Sequence, residues 1–429
     1  MIARDRGSVE TKCRGSCTTS ITRSIVHTTL FTGIVSLAAV LRFDGLSQRG
    51  LLYWDEGKFT LEGLRFLSIL QALPHLHTAA LAGKTVGTAK PGHALLIGLS
   101  YGLLGVHDYV PLLLNSATSL VQLGVLFLLA RRLFGVRVAL MASAFLAVSG
   151  YDIIYARSAL SESDANLFFL LGVLIWWITA EQSRTESLVR PRWLFALFCS
   201  GTALGMALSV NYRLGVYIVT LLAVDLIISL RRQHVRRTPA LKVAWIAGLA
   251  LIPVTWELLG LFALRRGIVL FRSEVTYRPT SYFAEALYQL HGGKQTVLHF
   301  NPLPYLQWYT IRQGWPLALL FLVGLAFAAA ERSMRWTVPA ALILVPYVVY
   351  TFAPFIVPRN LDAAVPFTAI LSAAGLASLV ERTYASHAAG VRLFAATMLL
   401  VLAGATRVWP LTSVRSGFAQ AAAYVTREG

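Results

Sequence analysis

"LFALFCSGTALGMALSV", Leu194 to Val210, contains no charged residue. Wound as a helix it is apolar on every side, whereas a helix on the surface of a soluble protein keeps a polar face. Runs of this kind, each roughly 18 to 24 residues long, recur along the chain and match the length that crosses a hydrocarbon layer. The 429 residues are 56% hydrophobic and only 14% charged. These features define an all-α polytopic membrane protein and exclude a soluble helical solenoid, whose helices would show amphipathic stripes.

The predicted spans are residues 24–42, 109–130, 136–155, 163–181, 193–211, 213–230, 241–264, 314–331, 336–357, 361–381 and 391–410, about 11 transmembrane helices. A further apolar piece, "HALLIGLSYGLLGV" (His93 to Val106), has 14 residues. As a helix it covers about 21 Å of a roughly 30 Å layer, so it is expected to lie on the membrane or dip into it. The basic residues agree with that reading. With this piece not crossing, loops 131–137, 182–192, 231–242, 332–335 and 382–392 share one side and carry 3, 3, 5, 2 and 2 Lys or Arg. The short loops opposite, around Arg157, Arg213 and Arg359, carry one each. Cationic short loops mark the cytoplasmic face. They also account for the net charge of +18 without nucleic acid, which would need the basic residues gathered on one face.

The chain then divides into a cytoplasmic N-terminal segment (1–23), a membrane domain (24–410) with outer loops 43–108 and 265–313, and a short outer tail (411–429). The first apolar run lacks a small-residue cleavage site and reads as a retained helix. Three cysteines make no disulfide framework. Cys13 and Cys17 in "CRGSC" have no nearby His or further Cys for a metal, and Cys199 lies in an apolar helix.

The first outer loop opens with "YWDEGKF" (Tyr53 to Phe59), which sets Asp55 and Glu56 where an oily segment meets water. A solvated helix start accounts for such a pair too, because acidic residues favour the first turn. The following "KFTLEGLRFLSIL", with Phe59, Leu64, Leu67 and Leu70, suits an interfacial helix. On the same side fall "AKPGH" (Ala89 to His93), "YARSALSESD" (Tyr155 to Asp164), "NYR" (Asn211 to Arg213), the cations Arg265, Arg266, Arg272, Arg278, Lys294 and Arg312, and "PRNLDAAVP" (Pro358 to Pro366). Carboxylates that accept a proton and cations that hold an anion, set beside lipid, equip a protein for transfer from a lipid phosphate. A structural reading stands next to each residue. It pairs Arg157 with Glu162 or Asp164, pairs Arg359 with Asp362 three residues on, and leaves His93 an interfacial histidine without a role. Glu257, inside a span, needs a partner or a wet cavity. Asp55 and Glu56 are also candidate ligands for a divalent cation, with no third ligand at a set spacing.

"YWDEGKF", "KPGHALLIGLSYGLLGV", "ARRLFGVRVALMASAFLAVSGYDIIYARSALSESDANLFFLL" and "VPRNLDAAVPFTAILSAAGLA" resemble, in order and spacing, the bacterial relatives of the protein O-mannosyltransferases and of the lipid A aminoarabinose transferases. These are GT-C membrane glycosyltransferases. The resemblance spans about residues 20 to 410 and is most specific from Lys90 to Leu171. It implies a GT-C fold with interfacial helices in the outer loops, in a bacterial cytoplasmic membrane with the active site on the outer face. It also implies a donor sugar on a polyprenyl or dolichyl monophosphate, passed with inversion to a lipid, glycan or protein acceptor. By position it assigns catalysis to Asp55 and Glu56, with Asp55 as base. Donor phosphate binding goes to Lys90, Arg157, Arg272 and Arg278, and substrate binding to His93, Glu162 and Arg359. The sequence departs from the family's pattern in reading "KPG" where many members have two prolines, and a soluble C-terminal domain is expected to be missing. The alternative is a transporter or flippase of a lipid-linked or anionic sugar, which would commonly show internal repeats and polar residues at mid-membrane.

Overall fold

The computed structural model describes residues 7–72, 84–182, 191–231, 239–273, 277–290, 300–353, 356–384 and 386–416. The chain runs through α1 (Gly7–Phe43), α2 (Trp54–Ala72), α3 (Pro91–Leu104), α4 (Tyr109–Phe134), α5 (Val136–Ala147), α6 (Gly150–Ala156), α7 (Glu162–Gln182) and α8 (Pro191–Val210). It continues through α9 (Leu214–Arg231), α10 (Pro239–Arg265), α11 (Tyr282–Leu290), α12 (Leu303–Gln313), α13 (Trp315–Glu331), α14 (Met334–Thr351), α15 (Val365–Thr383) and α16 (Ser386–Val408). Among the described residues the only β pairing is two isolated bridges. The protein is an integral membrane protein.

Each of the 11 predicted spans overlaps a helix, but among the described residues 8 helices are fit by length and composition to cross a membrane, or up to 10 if each bent pair is one span. The difference has local causes. The span predicted at 136–155 is broken into α5 and α6 with a 60° bend, where Ser149 caps the new helix by accepting from the Asp152 amide at 3.2 Å. α12 and α13 meet at 120° through Gly314, whose φ of +89° suits glycine. α9 is apolar but shorter than the others. The 14-residue α3 is shorter still, and it packs along α2. The basic loops at 182–192 and 231–242, Lys294, and the tail beyond Ser416 lie largely or wholly outside the described residues, as do the side chains of the first 24.

Lipid supplies no hydrophobic drive for one helix to seek another, so close backbone packing has to hold the bundle. Gly201 and Gly248 serve that purpose between α8 and α10: a Cβ on Gly201 would meet the Trp245 carbonyl oxygen, and one on Gly248 the Phe198 carbonyl oxygen. Between α13 and α15, a Cβ on Gly375 would lie 2.7 Å from the Gly324 nitrogen. Buried charge is placed just as tightly. Arg42, fully buried on α1, reaches Asp152 at 2.5 Å, Ser119 at 2.8 Å and the Ala147 carbonyl at 3.1 Å. One satisfied ion pair thus ties α1 to the helices beside it, as a charge at that depth requires.

The two long outer loops meet each other. Lys84 to Thr88 runs alongside Val269 and Leu270 through four amide bonds, among them Val86 to the Val269 carbonyl at 2.9 Å and Val269 to the Lys84 carbonyl at 2.9 Å. Beneath this join Phe66, Val86, Trp256, Phe271 and Tyr282 form a small apolar cluster of their own. α2 buries Phe59, Phe66, Leu67 and Ile69. Leu64 is exposed. The helix is rotated to turn toward the protein a face that also carries Glu56 and Glu62.

Candidate active site

A cavity of about 960 Å³ opens at one end of the bundle. Its walls come from α2, the extended segment Thr85–Lys90, the α8–α9 turn, the segment after α10, the end of α14 and the 3₁₀ turn Pro358–Ala364 that leads into α15. Six described lining residues are cationic, namely Lys58, Arg65, Lys90, Arg213, Arg272 and Arg359. Two are carboxylic, Asp55 and Glu62. So cationic a wall, partly walled off from water, is built for an anion.

Asp55 stands at the start of α2, where its Oδ2 accepts from Arg359 at 2.6 Å. Burial alone would push the Asp55 carboxyl up. The Arg359 charge and hydrogen bond outweigh it, with Lys90 and Lys58 adding to them, and hold the group below its ordinary 3.8. Asp55 is therefore an ionised carboxylate at neutral pH, attached to the one arginine that the turn before α15 presents. The structural reading of Arg359, set beside its assignment to substrate binding, pairs it with Asp362. That pair does not form, because Asp362 points into the bundle and accepts from Asn166 at 2.6 Å.

Lys90 ends the extended segment just ahead of α3, and the segment's earlier residues are bonded to the other outer loop. Its ammonium donates to Ser161 at 2.7 Å and lies 4.7 Å from the centre of the Phe59 ring and 5.7 Å from that of Tyr212. Burial lowers its pKa to about 7 despite the nearby charge of Glu162, with Arg213 and Arg359 pushing the same way as burial. An anion entering the cavity would restore the lysine's charge.

The remaining expected site residues divide. Arg272 lines the cavity and stacks on Tyr277 at 5.1 Å. Glu162 sits just behind the wall, 3.7 Å from Arg213. Glu56 lies outside the lining. It is fully buried, and its oxygens are occupied by Arg49 at 2.9 Å and by the amides of Leu52, Tyr53 and Ala159 at 2.5, 3.0 and 3.1 Å. It closes the loop before α2 on itself, so the adjacent acids do not converge on one point. Arg157 is not a cavity residue either, and it pairs with neither Glu162 nor Asp164. Its guanidinium donates to the carbonyls of Arg42, Asp44 and Thr412 at 3.1, 2.8 and 3.0 Å, joining the end of α1 to the turn after α16. His93 bonds Asp164 at 3.0 Å and the Ala159 carbonyl at 3.2 Å from a fully enclosed position, so its role is to fasten α3 to α7. Arg278 is exposed and outside the cavity lining. Glu257, in α10, finds its partner in the Phe283 amide at 3.1 Å. Among the described residues no three His, Cys, Asp or Glu side chains come together to hold a metal ion.

Sequence reading passed over Glu62, Arg65, Asn360 and the aromatic wall of Tyr212, Tyr277 and Tyr288. Glu62 carried a legible signal, since a residue seven beyond Asp55 shares its helix face. The aromatics did not, because tyrosines are common wherever helices end at a membrane surface.

Residues 88–256 match the family described as dolichyl-phosphate-mannose-protein mannosyltransferase. The fold matches the crystal structure of ArnT from Cupriavidus metallidurans bound to undecaprenyl phosphate, with 16% identity, 89% of this chain and 76% of that one covered, and a TM-score of 0.56. It also matches the oligosaccharyltransferase of Archaeoglobus fulgidus, with 13% identity, 91% and 56% covered, and a TM-score of 0.63. This chain thus spans little more than half of the archaeal enzyme's length. No curated protein sequence matches. The fold is the GT-C membrane fold that these structures share. The similarity to the mannosyltransferase family is confined to the part of the chain from the extended segment that carries Lys90 into α10.

Proposed function

We propose that the protein transfers a sugar from a polyprenyl-phosphate-linked donor to an acceptor hydroxyl or amine, on the non-cytoplasmic side of a bacterial cytoplasmic membrane and with inversion at the anomeric carbon. The observation that carries this reading is the ion pair of Asp55 and Arg359 at 2.6 Å, in a cavity that also holds the buried ammonium of Lys90. Asp55 orients the acceptor and takes its proton, help of a kind worth about 10² to 10⁴ in rate. Lys90, Arg213, Arg272 and Arg359 neutralise the charge that gathers on the departing phosphate, which preorganised cations do best where water is scarce. Because Arg359 holds Asp55, phosphate binding and acceptor activation share one group.

Two similar structures support the donor class: ArnT was solved with undecaprenyl phosphate and the archaeal AglB with a dolichol-phosphate. The outward orientation rests on the basic loops. Arg131, Arg132, Arg332, Arg335 and Arg382 stand at the ends of spans away from the cavity, where the positive-inside rule puts the cytoplasm.

The test is release of polyprenyl phosphate by the purified protein from synthetic polyprenyl-phosphate hexoses, mannose first. Asp55→Asn is expected to abolish release while leaving polyprenyl phosphate binding intact. Undiminished turnover by that variant would remove Asp55 from the mechanism. Movement of the intact donor between leaflets, without cleavage, would instead identify a flippase.

A further inference from the structure

Glu62 is the second carboxyl of the cavity, and the base-and-cation scheme above leaves it without a task. It is 3% exposed. Thr88 donates a hydrogen bond to the carboxyl, and Oε2 meets no partner among the described residues. A buried oxygen left unbonded at a cavity wall carries a desolvation cost that a ligand can relieve.

Its position along α2 is informative. Asp55, Phe59 and Glu62 are spaced by four and three residues, so they form one stripe of the helix, with the carboxyls about 10 Å apart along the axis. Lys90 stands over Phe59, 4.7 Å from the ring centre, and so between the two acids, with each of which it interacts electrostatically. A phosphate on Lys90 therefore has Asp55 on one side and Glu62 on the other. Inverting attack places the acceptor oxygen and the leaving oxygen on opposite sides of the anomeric carbon. If Asp55 serves the acceptor, Glu62 is left at the phosphate end.

We propose that Glu62 is a catalytic proton donor to the leaving phosphate. The acceptor oxygen bonds to the anomeric carbon as its proton passes to Asp55. The bond from that carbon to the phosphate oxygen breaks, and its electron pair stays on the phosphate. Glu62 gives its proton to that phosphate, so that the products are the glycoside, polyprenyl hydrogen phosphate, protonated Asp55 and the Glu62 carboxylate. Asp55 then loses a proton to water and Glu62 regains one before the next cycle.

The electrostatics fit the assignment. Burial raises Glu62 to about 7, against Thr88 and the charges of Lys58 on its own helix, His93 on α3 and Lys90. Asp55 is held low. Two carboxyls driven apart in this way are the usual mark of an acid and a base in one site. A phosphate monoester, whose second ionisation lies near 6, also matches such a donor.

The inference rests on the polyprenyl-phosphate donor proposed above, and the experiment separates the two. Short-chain polyprenyl phosphate, the leaving group common to every sugar donor, is titrated calorimetrically into detergent-solubilised protein at pH 8 in buffers of different ionisation enthalpy. The wild type is expected to take up protons on binding. Glu62→Gln is expected to bind but take up about one proton fewer, while Lys90→Met loses affinity. No binding by the wild type would overturn the donor assignment. Binding with unchanged proton uptake in Glu62→Gln would overturn the role of Glu62 alone. In turnover with a polyprenyl-phosphate hexose, Glu62→Gln should lower kcat about 10²-fold or more with KM for the donor little changed. The loss should shrink when the donor carries a phosphorothioate, a more acidic leaving group. Should the variant fail to fold, the wild type decides: its kcat must fall as pH rises through Glu62's ionisation, and less steeply with the phosphorothioate donor. Equal pH profiles for the two donors would refute proton donation.

Discussion

At the scale of the residue, the site is a set of charges that alter one another. Removing Arg359 takes away the largest influence holding Asp55 down, and burial then pushes the carboxyl upward. In Arg359→Gln the acid limb of the pH–rate profile is therefore expected to move to higher pH, read directly from kcat/KM between pH 4 and 8. Lys90 gives the opposite limb. With its pKa near 7 in the folded protein, the free lysine loses its charge as pH rises, so affinity for polyprenyl phosphate should weaken above pH 7 by up to about tenfold per unit. The same shift bears on stability. Between about 7 and the ordinary 10.5, the unfolded chain binds the proton that the folded one has released. Stability conferred at this residue consequently rises with pH across that window and is lowest below it. Asp55 and Lys90, both of which line the cavity, stand out in the sequence because each follows a recognisable break in apolar patterning. Glu56 and Arg157, expected as site groups, lie outside the cavity lining, because sequence does not say which way a side chain turns. Asp55 meets the cavity while its neighbour Glu56 is held by Arg49 and backbone amides, and Arg157 is held by backbone carbonyls.

At the scale of the element, helices are held by what they lack. α8 and α10 approach until backbone meets backbone at Gly201 and Gly248. Gly201→Val would force them apart, an overpacking of a kind that costs about 1 to 3 kcal/mol. The expected outcome is a lower Tm in detergent and a loss of activity that follows the unfolded fraction rather than the chemistry. α2 depends on its own geometry in a different way. Its seven-residue spacing sets Asp55 and Glu62 on one face, but its roll about its axis was not predictable from hydrophobicity alone. Leu64 turned outward and Glu62 inward, because α3 and the join between the outer loops, not lipid alone, cover the helix. Breaks within spans were equally hidden. α5 and α6 read as one apolar run, and only the Ser149 cap and the buried Asp152 behind it explain the 60° bend.

For the whole molecule, the question is which face of the membrane the cavity meets. Trp54, beside the cavity and 89% exposed, and Arg332, at the far end of α13, make opposed reporters. In a cysteine-free background, Trp54→Cys is expected to react with an impermeant maleimide from outside intact cells, and Arg332→Cys only after lysis. The reverse pattern would turn the active site toward the cytoplasm. By itself the amino-acid order determined that the chain is a helical membrane protein, where its helices fall, and which loops are basic. Those properties depend on runs of neighbouring residues and on the free energy of moving them between water and lipid. Only the tertiary structure decided that Asp55 meets Arg359 across 304 positions, that the two outer loops bond to one another, and that Glu62 shares a cavity with Lys90. Such meetings depend on how helices roll and cross. Close packing and the pairing of most buried charges settle that geometry, and neither is written in any one stretch of sequence.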